Sequence, residues 1–245
     1  MTAPGFADLQ YGTSGQDVYR IEPAGAFSSV SYAGTERLSA RKEGKVWRFE
    51  ARAQYLRSGP DGNDHGEAYF VALQMPDGSF ADRTDNDPDF LTILNQPFAV
   101  RLDAATLRDL RALTARVPFS ATSPLGAESV LHGFLRPAAG GPISGHPTVA
   151  VRFEADGTMN GPLPGDTSAL VSGNMRMAGT AYYAIDSAMM MALQVTLTLD
   201  ARLAQSGAPS VPVHIVYVRS IRVLPKTPPR APLATGDGTA AHATP

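Results

Sequence analysis

Apolar and polar residues alternate strictly over much of this chain, which is the pattern of half-buried β-strands. In residues 46–55, apolar side chains occupy every second position from Trp47 to Tyr55, with charged or amide side chains between them. Such alternation is typical of an antiparallel sheet with one face on a core and the other in water. Strands are predicted at 46–55, 67–75, 79–84, 130–136, 148–155, 173–185, 193–203 and 211–223.

Clusters of Gly, Pro and Asp separate these strands. The sequence PDG at 76–78 predicts a tight turn, because Pro presets φ and Gly tolerates a positive φ. The longer clusters at 137–147 and 160–166 are interpreted as loops. The short spacing favours hairpins and meanders, so the predicted fold is mainly β, with about eight to ten strands in a curved antiparallel sheet, open barrel or sandwich.

Two segments have helical features. In 87–97 a carboxylate precedes a proline at the first helical position, and Pro97 is expected to end the helix. In 103–117 leucines recur at helical spacing, and Asp103 is a candidate N-cap. The resemblance of this second segment to 152–163 supports strand–turn–strand instead, and the pattern leaves both interpretations open.

The predicted domain organisation is one β-rich domain over 1–224. Apolar residues make up 43% of the 245 residues and charged residues 18%, a balance typical of a folded globular chain. Residues 225–245 are rich in Pro, Ala, Gly and Thr without apolar periodicity, which predicts a flexible tail.

Composition excludes several kinds of site. There is no cysteine, so disulfides, thiolate metal sites and cysteine nucleophiles are excluded. A formal charge of −2 argues against a nucleic-acid partner, which requires a concentrated basic face. No run of residues approaches the length of a membrane-spanning helix. Arginine greatly outnumbers lysine beside abundant Ala, Gly and Pro, a bias we interpret as bacterial.

The compartment has two interpretations. The first residues, MTAPGFADLQYG, lack a basic stretch followed by an apolar one, so no signal peptide is recognised. The chain is then expected to be cytoplasmic, or to be the mature form of a periplasmic or secreted protein. The oligomeric state is not determined by the sequence.

Asp85, Asp87 and Asp89 are spaced like the first ligands of a calcium loop. The match then fails, because Phe90 stands where a turn glycine is needed and Gln96 where a bidentate Glu is needed. Carboxylates also favour the positive end of a helix dipole, and this capping role is the preferred interpretation. A metal site at the three aspartates is the alternative.

The stretch 58–69 brings together Asp61, Asp64, His65 and Glu67. These side chains suit an acid–base or hard-metal site, and with the acids up to Asp89 they define a hydrolase alternative at 61–89. Turn chemistry accounts for the same residue types, so a polar hairpin loop is favoured.

No recognisable catalytic set or cofactor motif is present. The chain contains no GxSxG, HExxH, GxGxxG or GxxxxGK[ST] sequence, so no catalytic residue and no cofactor is predicted. His132 and His214 fall within predicted strands, where a hydrogen-bonded structural histidine is the default expectation.

Methionines concentrate in the second half of the chain. Met is used both as core filler and on adaptable binding surfaces, and core filling is the favoured interpretation. If the sheet curls, however, these residues and nearby aromatics would line an apolar ligand cavity. The candidate ligand-binding residues are Trp47, Tyr55, Met175, Met177, Tyr183 and Met190.

A short Arg–x–acid pattern recurs in DVYRIEPAGAF (17–27), FAVRLDAATL (98–107) and VAVRFEADGTM (149–159). In a strand, residues i and i+2 share a face, so we interpret the pairs as charges that solvate the outer face of a sheet. The recurrence also suggests repeated strand–turn units.

The leading functional hypothesis is a non-catalytic bacterial protein that binds or carries a hydrophobic ligand or lipid in the cell envelope. The alternatives are the hydrolase at 61–89 and a structural or assembly protein whose sheet edges pair with partners. Enzymatic activity is not the favoured interpretation.

Overall fold

The described residues form one antiparallel sheet of eleven strands with two short helices, which confirms the predicted fold class. The computed structural model describes residues 6–22, 25–87, 91, 97–112, 115–123, 129–163, 166–205 and 207–225. The predicted tail at 225–245 therefore lies outside the described residues except for its first position. The elements are β1 (Phe6–Ile21), β2 (Ala26–Glu43), β3 (Val46–Gly59), β4 (Gly62–Gln74), β5 (Phe80–Asn86), α1 (Pro97–Val100), α2 (Ala104–Leu110), β6 (Val117–Thr122), β7 (Val130–Ala138), β8 (Thr148–Leu163), β9 (Asp166–Ala184), β10 (Met190–Gln205) and β11 (Val211–Val223).

The first and last strands lie beside each other in the middle of the sheet. The order is β5-β4-β3-β2-β1-β11-β10-β9-β8-β7-β6, so each half is a meander that runs from the centre to an edge. The two edge strands, β5 and β6, are not paired with each other. The segment between them, which carries α1 and α2, connects one edge of the open sheet to the other.

Apolar side chains on one face of the sheet form the main core. Tyr11, Phe49, Phe70, Phe153 and Tyr183 are among the fully buried members. In β3 the buried and exposed positions alternate along the whole strand, as its sequence predicts. Burial of this inner face is the main stabilising contribution, at roughly 25 cal/mol per Å² of apolar surface.

Glycines allow neighbouring strands to approach closely. A Cβ added at Gly34, Gly133, Gly173 or Gly179 would overlap a backbone carbonyl oxygen of the adjacent strand. A strand with a side chain at such a position would have to move away from its neighbour. These glycines therefore permit a strand geometry that larger residues do not fit.

A buried ion pair lies within the inner face. Arg219 of β11 donates from Nη1 to Asp17 Oδ1 of β1 at 2.6 Å, and both side chains are almost fully buried. The Tyr32 hydroxyl donates to the other Asp17 oxygen at 2.9 Å. Gly15 makes room for this arrangement, since a Cβ there would collide with the Arg219 side chain.

The two helices only partly agree with expectation. Within the 103–117 segment, helix α2 spans only Ala104–Leu110, and Val117 already begins β6. Asp103 caps α2 by accepting hydrogen bonds from the Ala105 and Thr106 amides at 2.9 Å each. Pro97 does not end a helix, because α1 begins at that residue. Most of the predicted 87–97 helix lies outside the described residues.

Every predicted strand overlaps an observed one, but several boundaries were wrong. The predicted loop at 58–69 contains only a tight turn, because β4 begins at Gly62, which pairs with Gly59. The PDG turn is confirmed, with Gly78 at φ +87° and its amide bonded to the Met75 carbonyl at 2.9 Å. Strands β1, β2 and β6 were not predicted.

The three Arg–x–acid repeats adopt three different structures. Residues 17–27 run from β1 into β2, 98–107 cover parts of both helices, and 149–159 lie inside β8 without a turn. The interpretation as repeated strand–turn units is therefore wrong. No described helix combines the length and apolar character needed to cross a bilayer.

Candidate functional site

A cleft of about 450 Å³ lies at the seam between the two edge strands. We call it the seam cleft. Its walls are the β4–β5 turn with the start of β5 on one side and β6 on the other. Its floor comes from α1, the residues between α1 and α2, and the first turn of α2. The volume falls within the range of about 300–1,000 Å³ that is usual for small-molecule sites.

Aromatic side chains supply much of the apolar wall. Phe98 of α1 packs edge-on against Phe119 of β6 and against core residue Phe153, with ring centroids 4.9 and 5.1 Å apart. On the other side Phe80 packs against Phe70 at 5.3 Å. These rings therefore belong both to the cleft wall and to the packing of the core.

Arg101 is the half-buried cation of the seam cleft. Its Nη1 donates to Gln74 Oε1 at 3.1 Å, while Gln74 Nε2 donates to the Arg101 carbonyl at 3.0 Å. Its guanidinium carbon lies 4.8 Å from the centroid of the Trp47 ring. Its Nε is buried and has no hydrogen-bond partner among the described atoms.

The electrostatic environment of Arg101 is unusual for an arginine. Burial lowers its pKa, an effect that the charge of Asp103 partly opposes. Asp103 itself is engaged in capping α2, and no described carboxylate forms an ion pair with Arg101. The other arginine of this cleft, Arg83, is neutralised by Asp85, with Nε to Oδ2 at 2.6 Å.

The six predicted ligand-binding residues lie in the packed interior. None of them belongs to the wall of the seam cleft, although Trp47 touches Arg101 from the core side. The Tyr183 hydroxyl donates to the Phe98 carbonyl at 2.6 Å and so fixes α1 against β9. Ligand binding by these six residues stays a prediction. All six are buried: Trp47, Tyr55, Met175, Met177, Tyr183 and Met190.

The two predicted metal ligands that the structure describes, Asp85 and Asp87, bind other groups of the protein. Asp85 pairs with Arg83, and Asp87 accepts a hydrogen bond from the Leu91 amide at 2.7 Å. Asp89 lies outside the described residues. Within the described ranges, no three His, Cys, Asp or Glu side chains group as metal ligands would. The metal site stays a prediction.

Of the residues of the hydrolase alternative, Asp61 lies in the β3–β4 turn, and Asp64, His65 and Glu67 occupy exposed positions of β4. Asp64 pairs with Arg57 on the adjacent strand, and this contact lowers the pKa of Asp64. Glu67 accepts a hydrogen bond from Gln54 at 3.1 Å, and His65 is exposed opposite Leu56.

His132 and His214 are hydrogen-bonded across strands, the arrangement expected of structural histidines. His132 Nδ1 shares a hydrogen bond with Ser120 Oγ at 2.9 Å. His214 Nδ1 donates to Asp200 Oδ1 at 2.6 Å.

Sequence reasoning missed Arg101 as a candidate site residue. It was interpreted as one of the solvating Arg–x–acid pairs, but it turns toward Trp47 and Gln74, which are far away in sequence. Arg48 and Glu50 of β3 have the same i, i+2 spacing and do form an exposed ion pair, with Nε to Oε1 at 2.9 Å.

No protein-family model matches this chain, and no curated protein matches it.

Proposed function

We propose that this protein is a non-catalytic binding protein that takes a small amphiphile, with an apolar body and an acidic head group, into the seam cleft. The observation that carries the proposal is the half-buried guanidinium of Arg101, which has a buried Nε without a partner and no ion pair among the described residues. This proposal keeps the hydrophobic ligand inferred from the sequence and moves its site from the methionine-rich core to the seam.

The apolar body of the ligand fits the aromatic side of the cleft. Phe80, Phe98 and Phe119 line the cleft together with Val117 and Leu135. Rings held in place by the core lose little freedom when a ligand binds, which favours affinity. An alkyl or aryl group placed among them would be removed from water.

The acidic head group fits Arg101. A cation that has lost part of its hydration without gaining a counter-ion is unfavourable, and a carboxylate or phosphate oxygen compensates that loss. Thr106 also lines the cleft, and its hydroxyl can donate a hydrogen bond to the same head group.

The role of a carrier in a bacterial envelope belongs to the same proposal. It is supported by the arginine-rich composition and by a fold whose two edges leave a cleft accessible from solvent. A carrier needs reversible access to its ligand, and a cleft between unpaired strand edges offers that access.

Calorimetric titration with decanoate tests the proposal. The wild-type protein is expected to bind decanoate saturably, and decylamine of equal chain length at least about tenfold more weakly, because Arg101 repels a cationic head. Arg101→Gln should remove most of this preference for the acid. Phe119→Ala should weaken both ligands by a similar factor, because it removes apolar contact.

Arg37→Gln is the matched control, because Arg37 is an exposed outer-face arginine whose partner is Asp8. It should leave both affinities unchanged. No saturable decanoate binding by the wild type, or equal loss in Arg101→Gln and Arg37→Gln, would refute the proposed site.

A further inference from the structure

Three arginines converge on a second cleft, which lies on the outer face near the β6 edge. Arg136 of β7 pairs directly with Arg152 of β8. Arg116 immediately precedes β6, and its neighbour Val117 pairs with the residue next to Arg136. Arg116, Arg136 and Arg152 therefore lie in one row across three adjacent chain segments, and we call them the arginine row. All three line a cleft of about 360 Å³.

Like charges on directly opposed residues are unfavourable in a sheet. The sheet contains two other opposed arginine pairs, and in each of them a carboxylate neutralises one member. Arg37 faces Arg52, and Asp8 binds Arg37 at 2.6 Å. Arg41 faces Arg48, and the glutamate two residues along β3 binds Arg48 at 2.9 Å. The arginine row has no such carboxylate partner within the part of the chain that the structure describes.

The acids near the arginine row are displaced from it along the strands. Glu154 lies one row away, opposite Phe134, and is 4.0 Å from Arg176 of β9. Asp156 lies two rows away, opposite His132. Each row adds roughly 6.7 Å along a strand, so positive charge dominates at one end of the cleft.

One member of the arginine row is held in position by an aromatic ring. The guanidinium carbon of Arg116 lies 3.6 Å from the centroid of Phe134. A guanidinium stacked on a ring keeps the N–H groups at its edge available to an anion. The arginine row thus combines an ordered donor with two opposed cations that lack a counter-ion.

We propose that the arginine row binds a phosphate monoester or diphosphate group. Several negative oxygens on one centre match three forked donors, because arginine binds phosphate through paired N–H groups. The small cleft favours a compact head group. This site is separate from the seam cleft and does not depend on the function proposed for it.

Calorimetric titration with inorganic pyrophosphate tests this proposal. Wild-type protein should bind pyrophosphate saturably, and Arg136→Gln and Arg152→Gln should each weaken binding by about tenfold. The control variants Arg41→Gln and Arg52→Gln occupy equivalent opposed positions elsewhere on the outer face and should bind like the wild type. Arg101→Gln should also bind pyrophosphate normally.

Flotation with vesicles distinguishes the sources of the phosphate group. Phosphatidylcholine vesicles with and without phosphatidic acid are compared for the wild type and Arg152→Gln. Recovery only with phosphatidic acid, lost in Arg152→Gln, identifies a lipid head group, whereas pyrophosphate binding without vesicle binding identifies a soluble phosphate.

Thermal unfolding without ligand supplies a readout for folding. Arg152→Gln should melt at or above the wild-type temperature, because it removes an opposed like charge. Pyrophosphate should raise the melting temperature of the wild type and of the control variants more than that of Arg152→Gln. Absence of saturable binding to both probes, or equal weakening in the control variants, overturns the proposal.

Discussion

Replacement of Arg219 by methionine removes the cation of the buried pair and leaves the Asp17 carboxylate inside the sheet. Arg219 Nη1 also donates to the Val218 carbonyl at 2.9 Å and to the Gln16 carbonyl at 3.4 Å, and these contacts are lost as well. The carboxylate keeps the Tyr32 hydroxyl at 2.9 Å, which cannot replace a full positive charge. Removal of one partner of a buried pair costs about 3–5 kcal/mol, and we expect a loss of this size in Arg219→Met.

The double variant Asp17→Leu with Arg219→Met distinguishes the cost of an unpaired buried charge from the cost of altered packing. Because it leaves no isolated charge, it should be more stable than Arg219→Met alone. We expect it to lie within about 2 kcal/mol of the wild type, the remaining loss coming from the Tyr32 hydroxyl and imperfect packing.

Urea unfolding, followed by circular dichroism and by the fluorescence of Trp47, measures these free energies. Denaturation slopes should be equal, so that shifts of the midpoint report stability. The deficit of Arg219→Met should also narrow as the pH is lowered, because a protonated Asp17 is tolerated better in the interior. The reasoning fails if Arg219→Met loses less than about 1 kcal/mol, or if the double variant is less stable than the single one.

Three further predictions concern backbone packing, capping and tyrosine ionisation. Gly173→Ala should lose about 2 kcal/mol or more in urea unfolding, since its Cβ would overlap backbone of β10, whereas Gly141→Ala meets open space and should stay within about 0.5 kcal/mol. Asp103→Ala removes the cap of α2 and should cost about 1 kcal/mol by thermal unfolding, with Asp103→Asn nearer the wild type. Burial raises the pKa of Tyr183 and Tyr217. Their contribution to stability is therefore complete below the pKa of an unfolded tyrosine, near 10, and is lost as the pH rises above it. Absorbance at 295 nm should show these tyrosines ionising only as the protein unfolds.

The part of the fold that could be predicted from the sequence is the part with a regular inner face. In β3 every inward residue from Trp47 to Tyr55 is apolar or small, so local alternation is enough. Strands β1 and β2 were missed because they place Asp17 and Glu36 on the buried face, which interrupts the apolar pattern. The burial of Asp17 depends on Arg219, whose proximity only the sheet order creates.

The candidate sites depend even more on distant contacts. Arg101 and Arg152 stand in the same short Arg–x–acid pattern, yet the acid beside Arg101 caps a helix, while Arg152 stays on the outer face of a strand. The local sequence does not distinguish these two environments, because each is created by a residue far away in the chain. Trp47 contacts the guanidinium of Arg101, and Arg136 lies opposite Arg152 on the adjacent strand. Both proposed sites were therefore invisible as motifs.

The central position of β1 and β11 has a consequence for the order of events during synthesis. Tyr11 pairs with Val223, and Ile21 with Val213, so one side of β1 finds its partner only when the last described strand has been made. The β1–β5 meander can form early from local hairpins, but it must wait on the ribosome with one edge of β1 unpaired. Joining the two halves is thus a long-range step, which is slow by the general dependence of folding rate on contact separation. Until then the waiting edge of β1 is where a nascent chain would be captured by a chaperone or by another copy of itself.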